Sequence, residues 1–173
     1  MKSTALAWKT LPSGFAQLPI LRRIAYWIAT GLGTGHLPAA GTWGTLLAWG
    51  IHALLYPRLF TPEQAVYGAS VLAFVILLGT LCAEITERIT GEKDDSRINV
   101  DEIAGYCTAV FLLPAGWFYS VTAFFLFRLF DVIKPPPARG LQNLHGGIGI
   151  MLDDLIAGLY AGLILQGAHR IFG

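Results

Sequence analysis

The chain has 173 residues, of which 54% are hydrophobic and 13% charged, and its 12 basic and 11 acidic residues give a net charge of +1. Soluble domains have about a quarter of their residues charged, so this composition is typical of an integral membrane protein and excludes a disordered chain. The balance of charge argues against a nucleic-acid-binding protein, which needs an excess of Lys and Arg.

The N-terminal segment, residues 1–30, precedes the first long apolar stretch. Within it, Leu21–Ile28 carries two arginines and two aromatic residues among aliphatic ones. This pattern favours a short helix that lies at the membrane surface. The alternative is that the segment is the polar start of a packed helix.

Four apolar stretches follow in chain order. They are Leu46–Tyr56, Ala65–Ala83, Ile103–Phe127 and Leu155–Ala168. Only Ala65–Ala83 is an unbroken run long enough to cross a hydrocarbon core of about 30 Å. The third stretch contains Pro114-Ala115-Gly116, which favours two short helices joined by a turn, although one kinked helix stays open. The sequence thus predicts an all-α membrane protein with about five short membrane helices, folded as one domain over residues 1–173.

Charged residues are concentrated in three segments that five crossings would place on one side. These charged segments are Met1–Gly44, Glu84–Glu102 and Arg128–Asp154, and they contain ten of the twelve Lys and Arg residues. Positively charged loops stay in the cytoplasm, so we expect all three there. The same segments contain ten of the eleven acids, which orientation does not require. We therefore expect a functional site on that side.

A glycine-rich stretch, residues 31–45, runs directly into the first apolar helix. Glycines let the backbone approach an oxyanion, and the amides of a helix N-terminus can bind it. Thr42 and Thr45 add hydroxyl donors. The alternative is that the glycines serve helix packing in the membrane.

Two pairs of acids stand beside apolar runs. Asp101 and Glu102 precede one run, and Asp153 and Asp154 precede another with no basic residue between Arg139 and Arg170. One acid alone could cap a helix, but a pair beside hydrocarbon needs a cation. Mg²⁺ prefers such oxygen ligands and also binds phosphate. Three neighbouring charges are predicted to be solvated loop residues: Asp94, Asp95 and Arg97.

A basic–acidic–basic pattern occurs at Arg128, Asp131 and Lys134, which on a helix lie near one face. Arg and Lys can hold a phosphate while the Asp orients them or binds metal. The alternative is a salt-bridged cluster that snorkels at the membrane edge. Together with the acid pairs, this pattern indicates metal-assisted phosphoryl chemistry at the level of the lipid headgroups.

Four motifs carry a family resemblance. They are GTGHLPAAGTWGT (33–45), INVDEIAG (98–105), FRLFDVIKPPP (127–137) and HGGIGIMLDDLIAG (145–158). In this order they resemble the phosphatidylglycerophosphatase A family. Ala40 departs from the proline usual in the family, and Asn99 from the more common apolar residue.

The resemblance implies an all-helical, Mg²⁺-dependent enzyme of the bacterial cytoplasmic (inner) membrane. It would hydrolyse phosphatidylglycerophosphate to phosphatidylglycerol and phosphate in phospholipid synthesis, with bilayer lipids as its other partners and its active site facing the cytoplasm. The alternative is a non-enzymatic cation transporter, which would distribute polar groups near the midplane of the membrane. Here the acids gather at one end of the predicted helices.

Specific roles for the site residues follow as a hypothesis. The predicted Mg²⁺ ligands are Asp101, Glu102, Asp153 and Asp154. The predicted substrate-binding residues are Thr42, Thr45, Arg128, Lys134 and His145. Arg128 and Lys134 stabilise charge on the phosphoryl oxygens, and one carboxylate, Asp131 or Glu102, orients the attacking water. An aspartyl-phosphate intermediate stays open.

Overall fold

A computed structural model describes residues 9–55, 59–141, 144 and 146–172, and over these residues the chain is helical without β-strands. The α-helices are α1 (Ile20–Ala29), α2 (Ala40–Leu55), α3 (Ala65–Thr90), α4 (Val100–Val110), α5 (Trp117–Ile133), α6 (Ala138–Leu141) and α7 (Gly146–Phe172). Short 3₁₀ helices occur at Phe15–Gln17, Gly31–His36 and Pro62–Gln64. The predicted all-α class is therefore confirmed.

The third apolar stretch forms two helices, α4 and α5, as the proline-containing turn predicts. The intervening backbone is anchored where the amide of Leu112, at φ 61°, donates to the carbonyl of Phe60 at 2.8 Å. Two helical segments, Pro62–Thr90 and Gly146–Phe172, are long and apolar enough to cross a membrane. Helices α2, α4 and α5 have 16, 11 and 17 residues, so the prediction of about five spans is not confirmed.

Helix α7 lies at the centre of the bundle and contacts α3, α4, α5 and α6. Its buried positions are mostly small residues, which let neighbouring backbones approach closely. They include Gly147, Gly149, Ala157, Gly158, Ala161 and Gly162. A methyl group at Gly158 would collide with the carbonyl oxygen of Gly105 on α4. This close approach sets the depth at which the acids of α4 and α7 meet.

The start of α7 is held by α3. The carboxylate of Glu84 accepts a hydrogen bond from the amide of Gly147 at 2.8 Å, and Gly146 takes a left-handed φ of 74°. A carboxylate at a helix N-terminus satisfies an amide that the helix leaves unpaired. The register of the acids on α7 is thereby fixed relative to α3.

Helix α1 (Ile20–Ala29) includes the short helix predicted at Leu21–Ile28. Tyr26 is fully buried, whereas Ile20, Leu21 and Ile24 are exposed. The helix packs on α3 and on the 3₁₀ helix that follows it. Its position at a membrane surface stays a prediction.

Candidate active site

A polar cavity of about 370 Å³ opens where α2 and α4 begin and α5 ends. Its charged lining comprises Lys9, Asp94, Asp95, Asp101, Glu102, Arg128, Asp131, Lys134, Asp153 and Asp154. These residues come from all three charged segments. The fold therefore brings together the acid pairs and the cations that lie far apart in the sequence.

Three of the carboxylates form a tight group. One oxygen from each of Asp101, Glu102 and Asp154 lies within 4.8 Å of the others, although Asp154 is only 3% exposed. One buried oxygen on each, Asp101 Oδ1, Glu102 Oε2 and Asp154 Oδ2, has no hydrogen-bond partner among the described residues. Buried polar atoms without partners are rare because they cost free energy. An all-oxygen set of this kind fits a hard divalent cation such as Mg²⁺.

The cations of the cavity are held by the remaining acids. Arg128 Nη1 lies 2.8 Å from Asp131 Oδ2 and 3.9 Å from Glu102 Oε1. Lys134 Nζ donates to Asp153 Oδ2 and lies 3.8 Å from Asp131 Oδ1. Asp131 therefore lies between the two cations. Arg128 connects it to the carboxylates of Asp101, Glu102 and Asp154, which we call the metal-suited group. A metal role for Asp153, which Lys134 contacts, stays a prediction.

Lys134 lies just after α5 rather than on it. Its φ of 49° is left-handed and ends the helix, so the predicted common helical face holds for Arg128 and Asp131 alone. The ammonium group still reaches the cavity. Burial lowers the pKa of Lys134, but its hydrogen bond and charge attraction to Asp153 outweigh this effect and raise the pKa overall.

Gly41, at the start of α2, makes room for the site. A side chain there would collide with Glu102 Oε1 and lie 2.8 Å from Arg128 Nη1. Gly44, one turn later, has the same relation to α4, since its Cβ would lie 2.9 Å from the Cβ of Asn99. The glycine-rich stretch thus packs closely against neighbouring groups, and its binding of an oxyanion stays a prediction.

Neither predicted threonine lines the cavity. Thr45 is fully buried, and its hydroxyl donates to the carbonyl of Gly41 in its own helix at 2.8 Å. Thr42 is partly exposed. His145 lies outside the described residues. Substrate binding by these three residues stays a prediction.

Asn99 connects the glycine-rich stretch to the first acid pair. Its side-chain amide donates to Thr34 Oγ1 at 2.9 Å and to the carbonyl of Ala40 at 3.2 Å. Its backbone amide donates to Ala29 at 2.9 Å. The polar side chain of Asn99 thus fixes the start of α4 through hydrogen bonds rather than through apolar packing. An asparagine just before two acids is a helix-start signal that could have suggested this position.

The prediction that Asp95 and Arg97 are solvated is wrong. Asp95 is 3% exposed, and its carboxylate receives hydrogen bonds from Arg97 Nη2 at 2.6 Å and Nε at 2.9 Å. Burial raises the pKa of Asp95, but the bonds and charge of Arg97 outweigh burial and lower the pKa overall. A planar guanidinium two residues away makes this burial tolerable. Asp94, by contrast, is exposed as predicted, although it borders the cavity.

Sequence analysis also missed Lys9. This residue lines the cavity, and its ammonium group donates to the carbonyl of Ser96 at 2.5 Å. The contact joins residues 87 positions apart. Lys9 is one of four basic residues in the N-terminal segment, a pattern that indicates membrane orientation, so the sequence contains no signal for this placement.

Comparisons with known proteins agree with the chemistry of the cavity. A family model described as phosphatidylglycerophosphatase A matches residues 27–169. Two relatives named phosphatidylglycerophosphatase A are 33% identical (Haemophilus influenzae, 80% of this chain and 84% of the relative) and 35% identical (Escherichia coli, 84% and 85%). A protein from Bacteroides thetaiotaomicron named "Putative phosphatidylinositol-3-phosphatase" is 38% identical over 90% of this chain and 96% of its own length. No solved structure matches the chain. The chain therefore belongs to the phosphatidylglycerophosphatase A family, and with it to the hydrolases of phosphoric monoesters.

Proposed function

We propose that the protein hydrolyses phosphatidylglycerophosphate to phosphatidylglycerol and inorganic phosphate, with Mg²⁺ as its cofactor. One observation carries the proposal: the carboxylates of Asp101, Glu102 and Asp154 converge in the cavity that also contains Arg128 and Lys134. Acids that suit a metal and cations that suit a phosphate thus share one space. The choice of phosphatidylglycerophosphate as the lipid rests on the names of two relatives.

The metal-suited group would hold the ion. Asp101, Glu102 and Asp154 each offer a buried oxygen without a partner among the described residues, and Asp153 stays a predicted fourth ligand. A bound Mg²⁺ supplies positive charge that stabilises the phosphoryl oxygens in the transition state.

The cations position the phosphate. Arg128 presents a planar fork of N–H donors, and Lys134 adds a compact charge. Asp131 contacts both cations and keeps them in place before substrate arrives, so less ordering is needed on binding. For the attacking water we retain two candidates, Asp131 and Glu102.

A second substrate is favoured by one relative. The 38% identical protein is named for phosphatidylinositol 3-phosphate, which is also a lipid with a terminal phosphate monoester. The cavity chemistry suits both lipids because each presents the same reacting group. The assay must therefore offer both.

The proposal is tested by phosphate release from each lipid in detergent micelles. Purified full-length protein is stripped with EDTA and then given Mg²⁺ or buffer alone. We expect release from phosphatidylglycerophosphate that returns only with Mg²⁺ and that is faster than release from the inositol lipid. Glu63→Gln, which alters an exposed acid outside the cavity, is the control and should match the wild type. Full activity in EDTA would contradict the proposed Mg²⁺ dependence. A higher rate on the inositol lipid would contradict phosphatidylglycerophosphate as the proposed substrate.

We further propose a multi-pass position in the bacterial inner membrane with the cavity facing the cytoplasm. It is supported by the distribution of Lys and Arg and by the meeting of all three charged segments in one cavity. Single cysteines in a cysteine-free background test it in intact cells. We expect Ser96→Cys and Gln142→Cys, the latter outside the described residues, to resist a membrane-impermeant thiol reagent.

The outside position should react. Thr61, the natural choice before α3, is buried, so the exposed Gln64 is the better site for cysteine. Labelling of Ser96→Cys together with protection of Gln64→Cys would indicate the opposite orientation in the membrane and contradict the proposal. Labelling at residue 142 but not at residue 96 would contradict a cavity composed of both segments.

A further inference from the structure

We propose that Lys9 binds the phosphodiester of the substrate and so makes the enzyme specific for lipids that carry two phosphates. This inference rests on the proposed function, because it requires a lipid phosphate monoester as the substrate. It assigns a role to a residue that lies outside the stretch matched by the family model, which begins at residue 27.

The argument starts from the partners of the cations in the cavity. Arg128 and Lys134 are each held by acids. Lys9 forms no ion pair with any carboxylate in the described part of the chain, and its ammonium donates to a single carbonyl, that of Ser96. Asp95, a nearby acid, is already paired with Arg97. Because an ammonium has three N–H donors, two stay available for a ligand.

The position of Lys9 is fixed by its neighbours. Its backbone amide donates to the carbonyl of His36 at 3.1 Å. Arg97 Nη1 donates to the carbonyl of Thr10 at 3.0 Å. The chain around Lys9 is thus tied both to the glycine-rich stretch and to the loop before α4. The ammonium group is held at the cavity wall by a carbonyl, which leaves its positive charge without a carboxylate partner among the described residues.

The proposed substrates carry a second phosphate that an ammonium group such as that of Lys9 could bind. Phosphatidylglycerophosphate and phosphatidylinositol 3-phosphate both carry a phosphodiester next to the diacylglycerol and a monoester farther out. If Arg128, Lys134 and the metal-suited acids hold the monoester, the diester needs a separate positive charge. A cavity of about 370 Å³ is within the size range of sites for whole small ligands and exceeds the need of one phosphate.

Kinetics on Lys9→Met tests the assignment. With phosphatidylglycerophosphate in mixed micelles, we expect KM to rise about tenfold while kcat stays within about twofold, because the lost contact does not touch the reacting group. Lys9→Arg keeps the charge and should restore most of the KM. Lys93→Met removes an exposed lysine at the same end of the molecule, and it should leave both constants unchanged.

Product inhibition identifies which phosphate Lys9 binds. Phosphatidylglycerol retains the diester, and inorganic phosphate represents the monoester. We expect Lys9→Met to weaken inhibition by phosphatidylglycerol about tenfold and to leave inhibition by phosphate unchanged. Equal weakening of both, no inhibition of the wild type by phosphatidylglycerol, or unchanged kinetics in Lys9→Met would each overturn the assignment.

The two proposals fail in distinguishable ways. A wild type that acts only on phosphatidylinositol 3-phosphate contradicts the proposed substrate, and the same variants then test Lys9 on that lipid with phosphatidylinositol as the diester product. A wild type that prefers phosphatidic acid, which has a monoester alone, contradicts both proposals. An active wild type with an indifferent Lys9→Met contradicts the Lys9 assignment alone.

Discussion

Helices α3 and α7 are alike in length and apolar character and different in position. They have 26 and 27 residues, and both are apolar enough to cross a membrane. Yet in the most apolar 18-residue window of each helix, 17% of the residues are buried in α3 and 56% in α7. α3 lies at the edge of the bundle and exposes large side chains such as Phe74, Leu77 and Leu81, whereas α7 lies among four other helices.

The two helices differ in how many small residues they bury, since α7 buries four glycines and two alanines and α3 buries two glycines and one alanine. The buried face of α7 consists largely of Gly and Ala, so neighbouring backbones come close enough to exclude lipid. An acid pair on such a face must find partners within the protein. Asp153 meets Lys134, and Asp154 meets the acids of α4. The acids of α3, Glu84 and Glu87, are partly exposed near the C-terminal end of that helix.

The largest effect is expected from the acids of α7. Asp153→Asn and Asp154→Asn should each lower kcat at least about 100-fold, because each removes charge from a site that stabilises a transition state. Steady-state kinetics at saturating Mg²⁺ measures this loss, and Glu63→Gln serves as the control. Near-normal turnover in both variants would remove the pair from the site and leave α7 with a packing role alone.

A smaller loss of activity is expected from Arg128→Lys. The charge is kept, but the planar fork that contacts Asp131 and Glu102 is lost, and we expect kcat/KM to fall about tenfold. Arg139→Lys changes an exposed arginine and should be silent. A silent Arg128→Lys would favour the alternative of a salt-bridged cluster at the membrane edge.

Gly158→Ala tests the packing of α7 directly, and its expected effect is on stability. The added methyl collides with the carbonyl of Gly105 and lies 3.0 Å from Thr108 Cβ. We expect about 1–3 kcal/mol of destabilisation from overpacking, seen as a lower Tm in detergent. Gly167→Ala, on the same helix with no heavy atom within 4 Å of the new methyl, should keep or raise the Tm. Equal Tm values for the two variants would contradict the close approach of α4 and α7.

Much of this site could be predicted from the sequence. The pairs Asp101–Glu102 and Asp153–Asp154 stand beside apolar runs, where charge is costly without a cation, so their membership of a polar site could be predicted from local patterns. Arg128 and Asp131 follow from helical spacing. The turn between α4 and α5 follows from Pro114.

Other features depend on contacts that no local pattern contains. Lys9 reaches the cavity only because the N-terminal segment folds back onto Ser96. The burial of Asp95 depends on Arg97, which also binds the backbone of Thr10. Thr45 was expected to donate to substrate, but a helical threonine readily bonds its own backbone four residues back. The number of membrane spans is likewise not settled by hydropathy, since α4 is apolar but only 11 residues long.

Calorimetric titration of Mg²⁺ into the purified full-length protein tests most directly whether α4 and α7 build a metal site. It needs no substrate, so it is independent of which lipid the enzyme hydrolyses. We expect saturable binding to the wild type and to Glu63→Gln, and binding at least about tenfold weaker in Asp101→Asn and Asp154→Asn. Unchanged Mg²⁺ affinity in both aspartate variants would contradict a metal site formed by these two helices.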